Sequence, residues 1–177
     1  MSESSLEHKR KAPEKVTFAV VTVSTSKYFL KQSGEKQIED KSGDLIVKIL
    51  GDFNYEIASR ELIPDNPAII RELILKLCEN PNVDAIIITG GTGITKNDLT
   101  IETASNLFEK DLPGFWEIFR KLSYEQIGSA AILTRATAGI RTGKAIFCIP
   151  GSPDAVELAV KKLIAPEASH IIKHSRE

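Results

Sequence analysis

Two kinds of residue in this sequence could act on a phosphorylated substrate: small residues in turns after apolar segments, and acids beside those turns. The sharpest turn is Thr89-Gly90-Gly91-Thr92-Gly93, which follows the apolar residues 85–88. Glycine lets backbone N–H groups approach an anion closely, and the start of a helix after such a turn favours phosphate. Three further turns of this kind follow Ser24 or lie at residues 63–66 and 150–153. The sequence therefore predicts a phosphate site; the alternative is a set of tight strand-to-helix connections without a ligand.

Asp65 and Asp98 stand beside these turns, and Glu102 lies one helical turn beyond Asp98. Phosphoryl and nucleotidyl transfer depend on alignment and on neutralisation of charge, often through Mg²⁺ held by one or two carboxylates. The two aspartates could hold that ion, and Glu102 could share it. Each acid could instead cap a helix, and capping does not exclude metal binding. Three bases near small residues could meet a phosphate or simply be solvated: Lys41, Arg135 and Arg141.

Several common catalytic motifs are absent. The glycine turn lacks the lysine and hydroxyl residue of a Walker loop, and it lacks the G-x-G-x-x-G spacing of a dinucleotide-binding turn. Ser152, in Pro150-Gly151-Ser152-Pro153, lacks the G-x-S-x-G pattern of a serine hydrolase. The three histidines lie in the terminal segments, so histidine catalysis at a central site is not expected.

Apolar, β-branched segments alternate with amphipathic ones, which predicts the elements that must position these residues. Strands are predicted at residues 16–24, 55–62, 84–89, 131–134 and 145–149. Helices are predicted at residues 40–51, from Pro67 to before Pro81, at 98–110, 115–127 and 154–164, and from Pro166 toward His170. Residues 25–39 are predicted to form a surface excursion and residues 135–143 a polar turn. Alternating strands and helices indicate a three-layer α/β/α sandwich with a mainly parallel sheet, with residues 15–177 as a single domain and residues 1–14 as a flexible N-terminal tail.

Composition and charge exclude several classes of protein. The 177 residues are 42% apolar and 27% charged, as in an ordinary globular domain rather than a disordered chain. With 23 basic and 24 acidic residues the net charge is −1, so no nucleic-acid or membrane binding is expected. No segment reads as a membrane span or a secretory signal, and the two cysteines read as core-filling thiols. A cytoplasmic location is therefore expected.

The motifs together resemble the MoaB/Mog family of molybdenum-cofactor biosynthesis, and its MoaB branch more than its Mog branch. The resemblance covers residues 16 to about 166 and rests on these segments in family order: Asp40-Lys41-Ser42-Gly43, Ile63-Pro64-Asp65, Thr89-Gly90-Gly91-Thr92-Gly93 with Asp98, Gly114-Phe115, Arg135-Ala136-Thr137-Ala138-Gly139, and Pro150-Gly151-Ser152-Pro153. Thr25 stands where the family often has an aspartate, and Thr134-Arg135 where it often has Ser-Arg.

The resemblance implies a molybdopterin adenylyltransferase, which uses Mg²⁺ and ATP to transfer AMP to the terminal phosphate of molybdopterin and releases pyrophosphate. It implies that Asp65 and Asp98 are the catalytic acids and the metal ligands. The residues expected to bind nucleotide or substrate are Ser24, Ser42, Gly43, Thr89, Gly90, Gly91, Thr92, Gly93, Glu102, Arg135, Gly151, Ser152 and Pro153, of which Ser152 and its neighbours would line the pterin side. It also implies a homotrimer or homohexamer, with the aromatic helix at residues 115–127 as a candidate contact, and a downstream metal-insertion protein as partner.

Two other functions remain open at this point. One is a non-catalytic, oligomeric carrier of molybdopterin or its adenylylated form. The other is a nucleotide-pyrophosphate hydrolase, which would use water as acceptor and need no pterin.

Overall fold

A six-stranded sheet forms the middle layer of the protein, for which a computed structural model describes residues 15–35 and 37–177. Its strands are β1 (Thr17–Val23), β2 (Glu56–Ile63), β3 (Ala85–Thr89), β4 (Lys110–Asp111), β5 (Thr137–Arg141) and β6 (Lys144–Ile149). Their order in the sheet is β2-β1-β3-β6-β5-β4. The tail predicted at residues 1–14 lies outside the described residues.

The four adjacent strands β2, β1, β3 and β6 are parallel, and the other edge of the sheet is antiparallel. β1 pairs in parallel with β2 and β3, and β3 pairs in parallel with β6. β5 and β4 then add antiparallel pairs beyond β6. The carboxyl ends of β1, β2, β3 and β6 therefore meet at one edge of the sheet, where ligands of open α/β sheets bind. The expected sandwich with a mainly parallel sheet is confirmed.

Helices cover both faces of the sheet. They are α1 (Thr25–Gln32), α2 (Lys41–Asp52), α3 (Pro67–Glu79), α4 (Thr100–Ser105), α5 (Pro113–Ile127), α6 (Pro153–Ala159) and α7 (Ala165–Ser175), with a 3₁₀ helix at Gly128–Leu133 and a π-helical turn at Val160–Ile164 between α6 and α7. The side chains of β1 alternate between two buried clusters. Phe18 and Val20 pack with residues of α2, α5, α6 and α7, while Ala19 and Val21 pack with residues of α3 and α4. This two-sided burial explains why β1 is apolar at almost every position.

Several sequence predictions were wrong in detail. Residues 131–134, predicted as a strand, belong to the 3₁₀ helix Gly128–Leu133 and the turn after it. Residues 135–143, predicted as a polar turn, contain strand β5. The surface excursion at residues 25–39 includes the helix α1, in which no residue is buried. The helix predicted at residues 98–110 is shorter, since α4 begins at Thr100 and ends at Ser105.

Both cysteines are buried and unbonded, in agreement with the prediction of core-filling thiols. Burial raises the pKa of the Cys148 thiol, and also that of Cys78, where nearby positive charges partly oppose it. None of the helices in the described ranges is long and apolar enough to cross a membrane.

Candidate functional site

The glycine turn after β3 lies against the ends of both neighbouring strands. Gly90 has a φ of +98°, and a Cβ there would lie 2.3 Å from the carbonyl oxygen of Val23 at the end of β1. On the other side, the N–H of Gly90 donates to the carbonyl of Ile149 at the end of β6 (3.1 Å). The Thr89 hydroxyl donates to the carbonyl of Pro150 (3.0 Å). Only glycine fits this conformation and this close approach, which explains the residue type.

Asp65 lies behind the next residue of the turn. A Cβ on Gly91 (φ +63°) would lie 2.8 Å from Oδ2 of Asp65 and 2.3 Å from Oγ1 of Thr100. Oδ1 of Asp65 and Oγ1 of Thr100 are buried without a hydrogen-bond partner among the described residues. Burial raises the pKa of Asp65; the backbone N–H of Leu99 opposes this shift and the negative charge of Asp98 adds to it. The structure thus brings a partly desolvated carboxylate and an unsatisfied hydroxyl together beside Gly91.

Asp98 lies on the other side of the turn in a different environment. Its Oδ2 accepts hydrogen bonds from the hydroxyl (2.6 Å) and the backbone N–H (2.9 Å) of Thr95. The pKa of Asp98 is lowered, chiefly by the hydrogen bond from the Thr95 hydroxyl. Burial opposes this shift, and the backbone N–H groups of Thr95 and Gly93 and the charge of Arg135 lower the pKa further. Asp98 is therefore ionised at neutral pH, and its charge acts on Asp65.

Arg135 connects the glycine turn to α4. Its Nη1 donates to the carbonyl of Gly93 (2.9 Å), and its Nη2 pairs with Oε1 of Glu102. Glu102 is thus held by Arg135, with its carboxylate in an ion pair. The pair fixes the far end of the glycine turn.

The turn after β6 is held from α2. The buried hydroxyl of Ser42 donates to the carbonyl of Gly151 (2.6 Å), across 109 residues of sequence. Gly151 in turn packs on Gly90, since a Cβ on Gly151 would lie 3.4 Å from the Cα of Gly90. Ser152 caps α6, where its Oγ accepts from the N–H of Ala155 (3.4 Å). The two turns therefore form one connected surface.

These turns line a cavity of about 480 Å³. Eight residues predicted from the sequence lie in its wall: Gly90, Gly91, Thr92, Gly93, Asp98, Arg135, Gly151 and Ser152. Asp65 lies behind Gly91 rather than in the wall. The other predicted residues also lie outside the lining. Ser24 occupies the position before α1 without a capping hydrogen bond from its side chain, and Gly43 donates to Asp40 in the first turn of α2. Ser42 and Thr89 are bound as described, Glu102 pairs with Arg135, and Pro153 is the first residue of α6.

Sequence reasoning missed the opposite wall of the cavity. Residues of α5, of the segment before β5 and of α6 complete it: Ser123, Gln126, Ile127, Leu133, Thr134, Asp154, Ala155 and Leu158. Pro150 also lines the cavity and belongs to the turn after β6 that the sequence had already singled out. The predicted helix end near residue 127 was a usable signal, because a helix that ends at the carboxyl edge of the sheet faces the strand ends.

Thr25 was also missed. Its hydroxyl accepts from the backbone N–H of Asp65 (3.0 Å), so it positions that acid.

An α/β sheet with a glycine turn, two neighbouring carboxylates and a cavity at its carboxyl edge defines a class of proteins that bind phosphorylated small molecules. The comparisons with known proteins identify the family. Residues 19–170 match the family described as "Probable molybdopterin binding domain". The chain belongs to this family, in its MoaB branch.

Three relatives illustrate this membership. Molybdenum cofactor biosynthesis protein B of Bacillus subtilis is 44% identical over 172 residues, which are 97% of this chain and 96% of that protein. A protein of Methanocaldococcus jannaschii named "Probable molybdopterin adenylyltransferase" is 45% identical over 96% of this chain and 99% of its own length. The crystal structure of the tungsten cofactor synthesizing protein MoaB from Pyrococcus furiosus matches with a TM-score of 0.78 and 41% identity, over 94% of this chain and all (100%) of that chain.

Proposed function

We propose that this protein is a molybdopterin adenylyltransferase, which transfers AMP from ATP to the terminal phosphate of molybdopterin and releases pyrophosphate. Relatives of Methanocaldococcus jannaschii and Pyrococcus furiosus, 45% and 41% identical, carry the name of this activity. The observation that carries the proposal is the pair Asp65 and Asp98 on either side of a glycine turn that lines a 480 Å³ cavity.

The reaction needs no general base from the protein. An oxygen of the terminal phosphate of molybdopterin attacks the α-phosphorus of ATP, and a new P–O bond forms. The bond between the α-phosphorus and the bridging oxygen breaks, and pyrophosphate leaves with the electron pair. The attacking phosphate is already an anionic nucleophile, so the lack of a histidine at the cavity fits the chemistry.

Asp65 and Asp98 suit Mg²⁺ as its protein ligands. Their carboxylate oxygens are the hard donors that Mg²⁺ prefers, and Oδ1 of Asp65 is a buried oxygen without a hydrogen-bond partner among the described residues. No three histidine, cysteine or acidic side chains gather around one point in the described ranges. Mg²⁺ is commonly held by one or two carboxylates together with substrate phosphates, so two acids are sufficient. When bound, the ion would neutralise charge on the phosphates.

The other residues of the cavity orient the substrates. The backbone of the turn from Gly90 to Gly93 lines the cavity, and phosphate oxygens can approach it closely where the glycines have no side chain. Arg135 keeps this turn in place through Gly93 and brings positive charge to the cavity wall. Gly151, Ser152 and Pro153 form the pterin side in this proposal, with Ser42 and Gly43 supporting them from α2. Thr89 and Ser24 support the ends of β3 and β1, and Glu102 restrains Arg135.

We further propose that the chain forms a homotrimer or homohexamer, works in the cytoplasm and passes its product to a metal-insertion protein. Support for the oligomer comes from exposed apolar side chains on α5 and the 3₁₀ helix. They are Ile118 (50% exposed), Tyr124 (63%), Ile127 (55%), Ile132 (84%) and Leu133 (59%). Ile127 and Leu133 also line the cavity, so the oligomer contact would adjoin the site.

A labelled-ATP assay separates the proposed function from its alternatives. Purified protein is incubated with ATP carrying a label on the α-phosphate and with Mg²⁺, with or without molybdopterin. Transfer of the label to molybdopterin, with an equal amount of pyrophosphate, is expected only when molybdopterin is present. Binding of molybdopterin without transfer of the label would indicate a carrier. A parallel reaction contains ADP-ribose and no pterin, and cleavage of the ADP-ribose there would indicate a hydrolase. Either result would overturn the proposal.

A further inference from the structure

Two histidines of α7 lie side by side at a distance from the candidate site. His170 and His174 are four residues apart on the helix, so their side chains share one face. Their rings are 4.6 Å apart between centroids at an angle of 70°, and their Nε2 atoms are 2.9 Å apart. Both side chains remain open to solvent, with 27% and 45% of their surface exposed. The two Nε2 atoms are thus close enough to bind one ion.

The other ring nitrogen of each histidine faces a carboxylate. Nδ1 of His170 lies 3.4 Å from Oε2 of Glu167, and Nδ1 of His174 lies 3.0 Å from Oε2 of Glu177. An ionised carboxylate can only accept a hydrogen bond, so each Nδ1 is assigned as the N–H donor. In the neutral ring the proton-bearing nitrogen leaves the other one with a lone pair. In this tautomer each Nε2 has a lone pair that it can offer to a metal ion.

The 2.9 Å contact between the two Nε2 atoms is a hydrogen bond when one of them carries a proton, and the donor depends on the tautomer. A metal ion with an affinity for imidazole can displace that proton and bind both nitrogens. A carboxylate behind each ligating histidine is the arrangement that orients the ring and raises its basicity in metal sites. Imidazole nitrogens favour zinc, copper and nickel over magnesium or calcium. From this geometry we infer that His170 and His174 form a surface site for a divalent transition metal ion of the zinc type.

The site supplies two protein ligands through the Nε2 atoms, and water completes the coordination. This agrees with the lack of any group of three metal-ligating side chains in the described residues. The ion would link two successive turns at the end of α7. This end is already attached to the sheet, because Arg176 pairs with Asp84, whose Oδ2 accepts from the N–H of Thr17 at the start of β1. Metal binding would therefore stabilise the C-terminal helix on the sheet.

Titration of the full chain with Zn²⁺ tests the inference. Excess Mg²⁺ is present throughout, so that Asp65 and Asp98 do not contribute a second zinc site. We expect one Zn²⁺ per chain by calorimetry, a rise in melting temperature with Zn²⁺, and the visible absorption bands of nitrogen-bound Co²⁺ when cobalt replaces zinc. His170→Ala and His174→Ala should each abolish all three signals. Circular dichroism without metal checks that both variants are folded.

Two matched controls complete the experiment. His8→Ala removes the remaining histidine of the chain and should bind Zn²⁺ like the unchanged protein. Glu177→Gln should weaken binding about 10- to 100-fold, as expected for a carboxylate behind a metal ligand, whereas Glu157→Gln, which only removes the exposed pair with Lys161, should not. Zinc binding that is unchanged in the His170→Ala or His174→Ala variant, or absent from the unchanged protein, would overturn the inference.

Discussion

Asp65 and Asp98 lie beside the same glycine turn, yet their surroundings shift their pKa values in opposite directions. Hydrogen bonds from Thr95 lower the pKa of Asp98, whereas burial raises that of Asp65. Asp98 is thus a stable negative charge, and Asp65 is a carboxylate whose ionised form is disfavoured until a cation arrives. A pair of this kind holds positive charge more strongly than either acid alone.

Replacement of Asp65 by asparagine should therefore stabilise the fold and remove activity. The folded-state pKa of Asp65 lies above its ordinary value of 3.8, so the carboxyl ionises less readily in the folded protein than in the unfolded chain. The free energy of unfolding therefore decreases as pH rises from that ordinary value through the raised pKa. At neutral pH the Asp65→Asn variant should gain about 0.5–1 kcal/mol in denaturant unfolding, as removal of strained active-site charges commonly does. Its turnover should fall at least about 100-fold.

Asp52→Asn is the control for Asp65→Asn. Asp52 is an exposed acid at the end of α2, so its replacement should change neither stability nor turnover. If Asp65→Asn were less stable than the unchanged protein and equally active, the interpretation of Asp65 as a strained functional carboxylate would be wrong.

Gly91→Ala should damage both the turn and the site. The position has a φ of +63°, and the new methyl group would lie 2.3 Å from Oγ1 of Thr100 and 2.8 Å from Oδ2 of Asp65. We expect a loss of about 1–3 kcal/mol in stability and a lower kcat/KM. Gly51→Ala, inside α2 with nothing within 4 Å of the added Cβ, should be neutral or stabilise by about 0.5–1 kcal/mol. Equal effects of the two substitutions would show that the space behind Gly91 is unimportant.

At the level of single residues, the sequence predicted those positions whose role requires a particular type of residue. Glycines in a turn after a buried strand, and acids next to it, can be recognised because few other residues serve there. The roles of Ser42 and Thr25 could not be predicted, because their partners, Gly151 and Asp65, are distant in sequence. Such pairings arise only when the sheet brings its strand ends together.

The start of α2 is an element whose position depends on a network around Asp40. The Asp40 side chain accepts hydrogen bonds from the Thr22 hydroxyl (2.8 Å), the Arg60 guanidinium (3.0 Å) and the N–H of Gly43 (3.2 Å). Burial alone would raise the pKa of Asp40, but these bonds and the charge of Lys27 together lower it. Asp40 thus ties α2, which carries Ser42, to the ends of β1 and β2.

Asp40→Asn should destabilise the protein in a pH-dependent way. A depressed folded-state pKa contributes stability above the ordinary value of 3.8, and this contribution is lost as pH falls through the lower folded value. We expect a loss of about 1–3 kcal/mol at neutral pH and a smaller difference from the unchanged protein near roughly pH 3, measured by denaturant unfolding. Asp44→Asn, which breaks only the exposed pair with Arg60, should cost about 0.5 kcal/mol or less. A difference that grows on acidification would contradict this account.

Strand β5 shows why some elements were missed from sequence. Thr142 and Gly143 both have positive φ, +48° and +71°, and join the paired residues Arg141 and Lys144 in a two-residue hairpin. Such hairpin turns usually carry asparagine or aspartate before glycine, so Thr-Gly gave a weak signal. β5 is nevertheless buried, because it lies between β6 and β4 and faces α5. Tertiary position, rather than local pattern, determines this strand.

For the whole molecule, the exposed apolar side chains on α5 and the 3₁₀ helix are the feature that suggests a contact between chains. Ile132, 84% exposed, lines an apolar groove with Tyr124 and Ala131. Exposed patches of this kind mark contacts between proteins. Ile132→Glu should therefore convert the proposed trimer or hexamer to smaller species in analytical ultracentrifugation. Lys48→Glu, at an exposed position on α2, should leave the oligomer intact. A monomeric mass for the unchanged protein would contradict the proposed assembly.

The three-layer architecture with a mainly parallel sheet was predictable for the whole molecule, because continuous apolar strands alternate with amphipathic helices, but β4 and β5 were not predicted. The cavity was predictable only on the side formed by the turns. Its other wall depends on how α5 packs across the sheet, which no local pattern encodes.

The most direct test of the central claim measures adenylylated molybdopterin and bound molybdopterin together, in the unchanged protein, in Asp98→Asn and in the double variant Asp65→Asn/Asp98→Asn. The account predicts that all three bind molybdopterin, and that label transfer from ATP falls at least about 100-fold in Asp98→Asn and further in the double variant. Transfer by the double variant at the rate of the unchanged protein would contradict the claim that these two acids perform the chemistry.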